Sequence, residues 1–544
     1  MCSGMCLLAM LWLSGMPAPE VASEPADTAR VLAAERARIE TIRKIAPSVA
    51  CVFPKGSQAG GGSGVIIDSD GYGLTNFHVV AMMLKDRAGE VGLTDGKLHD
   101  MEVLGIDPGG DVAMFKISEK DVLAVAPLGD ASSLRVGDYT LAMGNPFGLA
   151  DDYAPTVTHG IISGLHRFQP GVKGALVYTD CIQVDTSINP GNSGGPLFDM
   201  TGRLIGINGR ISIEERSRVN VGVGFAITIN QIRRFIPMLR AGLPAPHASA
   251  GFTVGDETEG VIVDQIDDKG PAYRAGLRSG DRLVQVAGVD IHSANHFLSE
   301  LGVYPGGWPV EVAYEREGRV QRFRIRLDAL PLPKMFGSGG PRDAEKPKFD
   351  PYGPHPVTTR ANRRAVRRAF EMFHESVGGE SALAGFGEVV AKGLRRKTGA
   401  VEEPPAPVTW SLASPVEGAA ELDLKASADA IEQAVVAALL RPADRPDRLG
   451  YRVVGADEIR GRIAVVLQRR LDEGGYRVSL DDENGRLLAI EFMHAATNVA
   501  VRYEYGEERP AGPFRLPHAR WLYHDDVLKA EDRFETMSVT GKAS

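Results

Sequence analysis

The amino-acid sequence predicts a mainly β, multidomain protein, and three observations carry that expectation. The chain has 544 residues, enough for three or four folding units at roughly 150 residues per domain. From Ser48 to about Ile236, short Val/Ile runs alternate with Gly, Asp and Pro, the rhythm of strands joined by turns. Toward the C-terminus the rhythm returns. Segments 461–467, 476–480, 486–492, 499–505 and 516–523 read as strands separated by stretches such as Asp481-Asp482-Glu483-Asn484-Gly485, which predicts an antiparallel meander. With 43% hydrophobic and 24% charged residues the chain can bury a core, which excludes wholesale disorder. Its 61 basic against 70 acidic residues, net charge -9, exclude a general electrostatic binder of nucleic acid.

In chain order, the apolar stretch Met5 to Gly15 and the small residues after it read as a secretory signal over 1–23, too short for a transmembrane helix. The expected location is the periplasm or cell envelope. No Lys or Arg precedes the apolar stretch, and Cys6 lacks the small and aliphatic residues of a lipoprotein cleavage box. Without the signal only Cys51 and Cys181 remain. Both sit in apolar runs and are expected as buried thiols, and no Cys/His cluster has zinc-ligand spacing. A domain over 24–243 begins with an Ala-, Arg- and Glu-rich helix. Residues 244–250 read as a linker, 251–330 as a smaller α/β module, 331–356 as a second linker rich in Pro and Gly, and 357–544 as an α+β domain with an antiparallel sheet. Arg360, Arg363, Arg364, Arg367 and Arg368 recur at helical spacing. The stripe reads as a solvated helix face, since no aromatics interleave it.

Three segments of the first domain supply the parts of acyl-transfer chemistry. A serine hydroxyl is a weak nucleophile and needs a base within hydrogen-bond reach, and imidazole suits that role. Thr75-Asn76-Phe77-His78-Val79-Val80 offers His78 at the end of strands. A carboxylate must hold the imidazole tautomer, and Gly110-Asp111-Val112 places Asp111 ahead of an apolar strand. Asp107 competes, but its Asp-Pro-Gly context reads as a turn. Gly191-Asn192-Ser193-Gly194-Gly195 sets Ser193 in a tight turn, with the Gly191 and Ser193 amides aimed at a developing oxyanion. Gly60-Gly61-Gly62-Ser63-Gly64 is not a phosphate loop, because no Lys-Ser/Thr follows and a strand comes next.

The order His, Asp, Ser is that of the chymotrypsin group. Residues 62–67, 75–80, 144–148, 182–197 and 224–227 resemble the HtrA (Deg) family of envelope serine proteases. The resemblance spans about 45–330 and implies a chymotrypsin-like double β-barrel, with Asp111 at the family's acid position. It implies an endopeptidase acting on unfolded or damaged envelope proteins without metal or cofactor, assembled as a homotrimer. A membrane surface stays open as a contact. It also implies a primary pocket lined by Ile188, whose apolar side chain favours small aliphatic residues before the scissile bond. Asn192 stands where digestive relatives carry an aspartate that pairs with a newly released amine, so activation is expected through loops, Asn145 to Gly160 and Asn208 to Gly222, rather than by zymogen cleavage.

Gly260 to Ile266 and Gly270 to Leu283 resemble the heart of a PDZ domain, which binds peptide C-termini by strand addition. The corresponding carboxylate loop is Gly251-Phe252-Thr253-Val254. Residues 373–383 and Leu516-Pro517-His518 are similar to half-barrel modules related to the lipoprotein carrier LolA. His374 and His518 lack triad or metal partners and are expected at the surface or in packing. The alternative function is a noncatalytic envelope chaperone or scaffold that binds clients through the PDZ and C-terminal modules.

Overall fold

The computed structural model describes residues 25–57, 61–118, 123–145, 152–169, 178–211, 222–332, 355–379, 386–398, 405–413, 426–440, 449–471, 474–511 and 514–541. The signal segment 1–23 and most of the 331–356 linker lie outside the described residues. Among the described residues no helix is long and apolar enough to cross a membrane.

Helix Pro25–Ile45 opens the described chain and passes directly into the short 3-10 turn Ala46–Ser48, which carries Pro47. Two closed six-stranded antiparallel barrels follow. Val49–Pro54, Gly62–Ile66, Tyr72–Thr75, Ala88–Gly92, Leu98–Asp107 and Val112–Ile117 form the first. Tyr139–Gly144, Thr156–Gln169, Tyr178–Val184, Pro196–Asp199, Leu204–Ile211 and Gly224–Thr228 form the second. Numbered along the chain, each barrel closes in the same order, 1-2-3-6-5-4. Val52, Ile66, Val103 and Phe115 fill the first, and Ala142, Ile182, Val184 and Leu197 the second. Closure leaves no open sheet edge and fixes the loops at the barrel junction. Cys51 and Cys181 are buried free thiols, as the apolar runs around them predict. Burial pushes the Cys51 thiol up to about 11.

Segment 244–250, read from sequence as a linker, is packed rather than free. Ala245, Ala248 and Ala250 are buried, the Ala245 amide donates to the Ile106 carbonyl (2.9 Å) and the Ala248 amide to that of Tyr304 (2.9 Å). The segment is a strand-like seam with backbone bonds to both neighbours. Beyond it, Phe252–Glu257, Gly260–Ile266, Arg282–Val286, Pro309–Arg316 and Arg319–Arg326 form an antiparallel sheet in that order, with helix Ala294–Gly302 against it.

The C-terminal region builds a nine-stranded antiparallel sheet. Tyr451–Ile459, Arg462–Leu471, Gly474–Asp481, Leu487–His494, Val499–Ala511, Phe514–His524 and Val527–Gly541 run as a continuous meander, extended by Phe386–Lys397 and Ala406–Ala413. The five strands read from sequence are all in it, one to several residues longer. Helices Pro356–Ser376 and Ala428–Leu439 pack their apolar sides, Val366, Phe370, Phe373, Val435 and Leu439, into the core that covers the sheet. His374 and His518 take packing positions, bonding the carbonyls of Leu439 (2.9 Å) and Leu516 (3.1 Å).

The arginine stripe corrects the sequence reading in part: Arg363 and Arg367 are exposed, as the spacing predicts, but the other three are not simply solvated. Arg360, Arg364 and Arg368, one turn apart on helix Pro356–Ser376, reach the first barrel. Arg360 and Arg364 pair with Glu102 (2.5 and 3.4 Å), and Arg368 pairs with Asp68 (3.3 Å) and Asp70 (3.6 Å). The face is a docking surface within the chain. Arg240, at the end of helix Ile229–Arg240, adds a buried link to Asp482 in the turn after strand Gly474–Asp481 (3.1 Å), and Arg326 joins the middle sheet to Asp457 (3.2 Å) and Glu491 (3.3 Å).

Candidate active site

His78 lies in the short helix Phe77–Val80, directly after strand Tyr72–Thr75, and Asp111 sits in the turn between Leu98–Asp107 and Val112–Ile117. His78 Nδ1 is 2.8 Å from Asp111 Oδ2 and 3.0 Å from Oδ1. A carboxylate only accepts, so Nδ1 carries the hydrogen and the neutral ring keeps its lone pair on Nε2, the tautomer a general base needs. The pair is held firmly. The His78 amide donates to Asp111 Oδ1 (3.0 Å), the Asn76 side-chain amide (2.9 Å) and the Phe77 amide (3.1 Å) donate to the Asp111 carbonyl, and Asp111 is fully buried. Asp111 adopts φ of 58°, a sparsely populated conformation for a non-glycine residue that its bonded surroundings enforce.

Ser193 occupies the turn before strand Pro196–Asp199. Its hydroxyl points toward the Gly209 carbonyl at 3.4 Å, a long contact that opposes rotation toward an imidazole only weakly. Gly194 is required by position. At φ of 84° a β-carbon there would stand 2.3 Å from the Ser63 carbonyl oxygen and from Thr75 Oγ1. Among the described residues no acceptor takes the Gly191 or Ser193 amide, while the neighbouring amides of Asn192 and Gly195 donate within the turn and that of Gly194 donates to the Asn208 carbonyl on strand Leu204–Ile211. Ser63 braces this turn twice, its amide donating to the Ser193 carbonyl (2.8 Å) and its hydroxyl to that of Gly191 (2.6 Å). The same hydroxyl accepts the Asn145 amide (2.9 Å). Asn192 is buried, with its side-chain nitrogen 3.4 Å from the Ser187 carbonyl. Both activation-loop candidates fall partly outside the described residues.

Ile188 is fully buried with Val184 and Ala226, its side-chain tip against Gly224. In the middle module Phe252, Thr253 and Val254 line a cavity of about 720 Å³ with Phe297, Leu298 and Leu301 of the facing helix. Gly251 lies beside it, its amide donating to Ser249 Oγ at 3.3 Å.

Tyr178 joins the candidate site without having been singled out from the sequence. Its hydroxyl donates to Asp111 Oδ2 at 2.6 Å, and its ring packs where a side chain on Gly209 would stand. The signal available was a polar aromatic opening the strand that leads to the Ser193 turn. A hydrogen bond to a charged group contributes about 1.5–3 kcal/mol. Tyr178→Phe is therefore expected to lower kcat by about tenfold with KM little changed, which steady-state kinetics on a peptide substrate checks.

A double barrel carrying a His–Asp pair and a glycine-framed serine defines the trypsin-like class of serine peptidase folds. Accordingly, the family model described as "Trypsin-like peptidase domain" matches residues 62–207, and the "PDZ domain" model matches 248–327. The "Probable periplasmic serine endoprotease DegP-like" of Halomonas elongata is 34% identical over 338 residues, 60% of this chain and 68% of that protein. The "Periplasmic serine endoprotease DegP" of Escherichia coli K12 is 34% identical over 281 residues, 49% of this chain and 56% of the relative. Among solved structures, "HtrA-type protease AlgW with tripeptide" aligns over 54% of this chain and 98% of its own at 31% identity, with a TM-score of 0.45. The chain belongs to the HtrA family of DegP-like serine endoproteases. It spans little more than half the length of several curated relatives it matches.

Proposed function

We propose that this chain is an exported serine endopeptidase that cleaves unfolded or damaged proteins of the cell envelope through a Ser193 acyl-enzyme. The observation that carries the reading is the His78–Asp111 pair, locked in the base-competent tautomer beside a turn whose Gly191 and Ser193 amides have no acceptor among the described residues. His78 takes the Ser193 proton as Oγ attacks the scissile carbonyl, Asp111 stabilises the imidazolium, and the two amides bind the oxyanion. His78 then returns the proton to the leaving amine, and water releases the acyl group by the same steps. Asn192 supports activation by loop arrangement without zymogen cleavage.

Ile188, fully buried as it stands, would act on the primary pocket from beneath as its apolar floor, which favours small aliphatic residues. The edge at Gly251 to Val254 and the apolar helix residues facing it take the C-terminal end of a peptide. Domain limits of 24–243, 251–330 and 357–544 fit this division of labour, after a signal over 1–23, and the C-terminal domain is a LolA-like half-barrel that serves as an accessory to the protease. Val31, Leu32 and Ile39, exposed on the leading helix, support assembly into a trimer.

A fluorophosphonate probe is expected to label Ser193 and block casein cleavage, and mass spectrometry of the products should show Val or Ala before most cut sites. Products with basic residues there would overturn the pocket assignment, and labelling elsewhere would overturn the nucleophile.

A further inference from the structure

His247 lies in the buried seam, outside the catalytic constellation, yet its ring touches both halves of the machinery. Nε2 is 2.9 and 3.0 Å from the two carboxylate oxygens of Asp107, and Nδ1 meets the carbonyl of Gly302, the last residue of helix Ala294–Gly302. Both partners are acceptors, so both ring nitrogens must donate and the ring is an imidazolium. Burial opposes that charge, but the Asp107 carboxylate and the two hydrogen bonds outweigh it and hold the imidazole pKa above its ordinary value.

Asp107 in turn shapes the catalytic turn. Its Oδ1 accepts the Gly110 amide at 2.8 Å, closing Asp107-Pro108-Gly109-Gly110-Asp111 into the conformation that leaves Asp111 at φ of 58°. The imidazole lies directly under this turn. A β-carbon on Gly109 or Gly110 would stand 2.9 or 2.7 Å from it, so glycine at both positions makes room for the ring. On its other side His247 belongs, with Gly109, to the wall of the cavity lined by Phe252, Val254 and Leu301. One side chain therefore spans the distance between the peptide groove and the turn that carries the catalytic carboxylate.

We propose that His247 is a positioning residue for the reaction: through Asp107 it fixes the turn that presents Asp111 to His78, and through Gly302 it makes that placement depend on the groove helix. The proposal rests on the serine-peptidase reading above and adds a route by which the middle module completes the active site.

The test uses the full-length chain and its His247→Gln and Asp107→Asn variants. With a peptide substrate, each variant is expected to lose about tenfold in kcat with KM within about twofold. The double variant should lose no more than the worse single one, as residues acting through one contact do. The fluorophosphonate should label all molecules of each variant at long times but about tenfold more slowly. An unfolded fraction would instead lower the labelling endpoint. A decapeptide ending in leucine with a free carboxylate should change wild-type kcat and leave that of His247→Gln unchanged, its C-terminal amide acting as the control. Variants with wild-type kcat, additive losses, or an undiminished response to the decapeptide would overturn the proposal. If His247→Gln does not fold, Asp107→Asn alone decides by the same kcat and labelling rates. A wild-type chain that neither cleaves nor is labelled would instead sink the peptidase reading itself.

Discussion

Ser193→Ala is expected to lower kcat on casein by about 10⁵-fold while leaving substrate binding in place. The loss is large because His78, Asp111 and Ser193 act as a unit, so without the hydroxyl the oriented imidazole has no proton to take and no acyl-enzyme forms. The residual rate reflects only what the Gly191 and Ser193 amides give to direct attack by water. Rates of both proteins over matched enzyme concentrations, with intact-mass measurement of a trapped acyl-enzyme in the wild type, check the expectation. Equal cleavage by the two forms would remove Ser193 from the mechanism. Loss of casein capture together with cleavage would show that the alanine form is misfolded.

The second large effect concerns stability and falls in the C-terminal domain. Arg520 is buried among three carboxylates, with guanidinium nitrogens 2.7 Å from Glu432, 2.8 Å from Asp532 and 3.1 Å from Asp429. Glu432, wholly buried, also accepts the Trp410 indole (2.9 Å) and the Tyr505 hydroxyl (2.6 Å). Removing one partner of such a group leaves buried charge without compensation, at a cost of about 3–5 kcal/mol. Arg520→Met should therefore unfold this domain at markedly lower urea, with the barrels less affected. The loss depends on pH with a definite sign. Burial, opposed by Arg520 and by the hydroxyl and indole donors, already holds the Glu432 pKa above its usual value. Without Arg520 it rises further. A carboxyl whose folded pKa lies above its unfolded value is destabilising in its charged form, and the two proteins differ only in that folded value, so the deficit of Arg520→Met should grow as pH rises from the raised wild-type value through the still higher value of the variant. Urea titrations at pH 4.5 and 7.5 check this; a deficit larger at the lower pH would overturn the account.

The candidate centre could be read from the sequence because the segments that form it are short and local. Thr75 to Val80, Gly110 to Val112 and Gly191 to Gly195 each carry a local geometric requirement, and a glycine such as Gly194 records close backbone approach directly in the sequence. What stayed hidden depends on contacts between distant residues. Tyr178 opens a strand that would look the same if its hydroxyl met water, and only barrel closure brings it to Asp111, 67 positions away. Residues 244–250 have a linker's composition, yet the hydrogen-bonding partners that bury them come from Ile106 and Tyr304. The spacing of Arg360, Arg364 and Arg368 predicts a helix face correctly but cannot say what faces it, because Glu102, Asp68 and Asp70 belong to barrel strands and turns more than 250 positions earlier. Periodicity reports that a surface exists, and tertiary structure chooses its neighbour.

That arginine face also alters what a covalent connection means for this molecule. Its ion pairs, the buried Arg240–Asp482 link and the Arg326 contacts hold the C-terminal domain to both preceding units independently of the peptide that joins them. A single cut between residues 332 and 355 would leave two polypeptides in one particle, held by part-buried ion pairs that salt screens only weakly and by the apolar packing of Val357, Ala361 and Ala456 against the preceding core. If the chain cuts itself there, as the proposed peptidase activity would allow, the nick would be silent in size-exclusion chromatography and visible only on a denaturing gel.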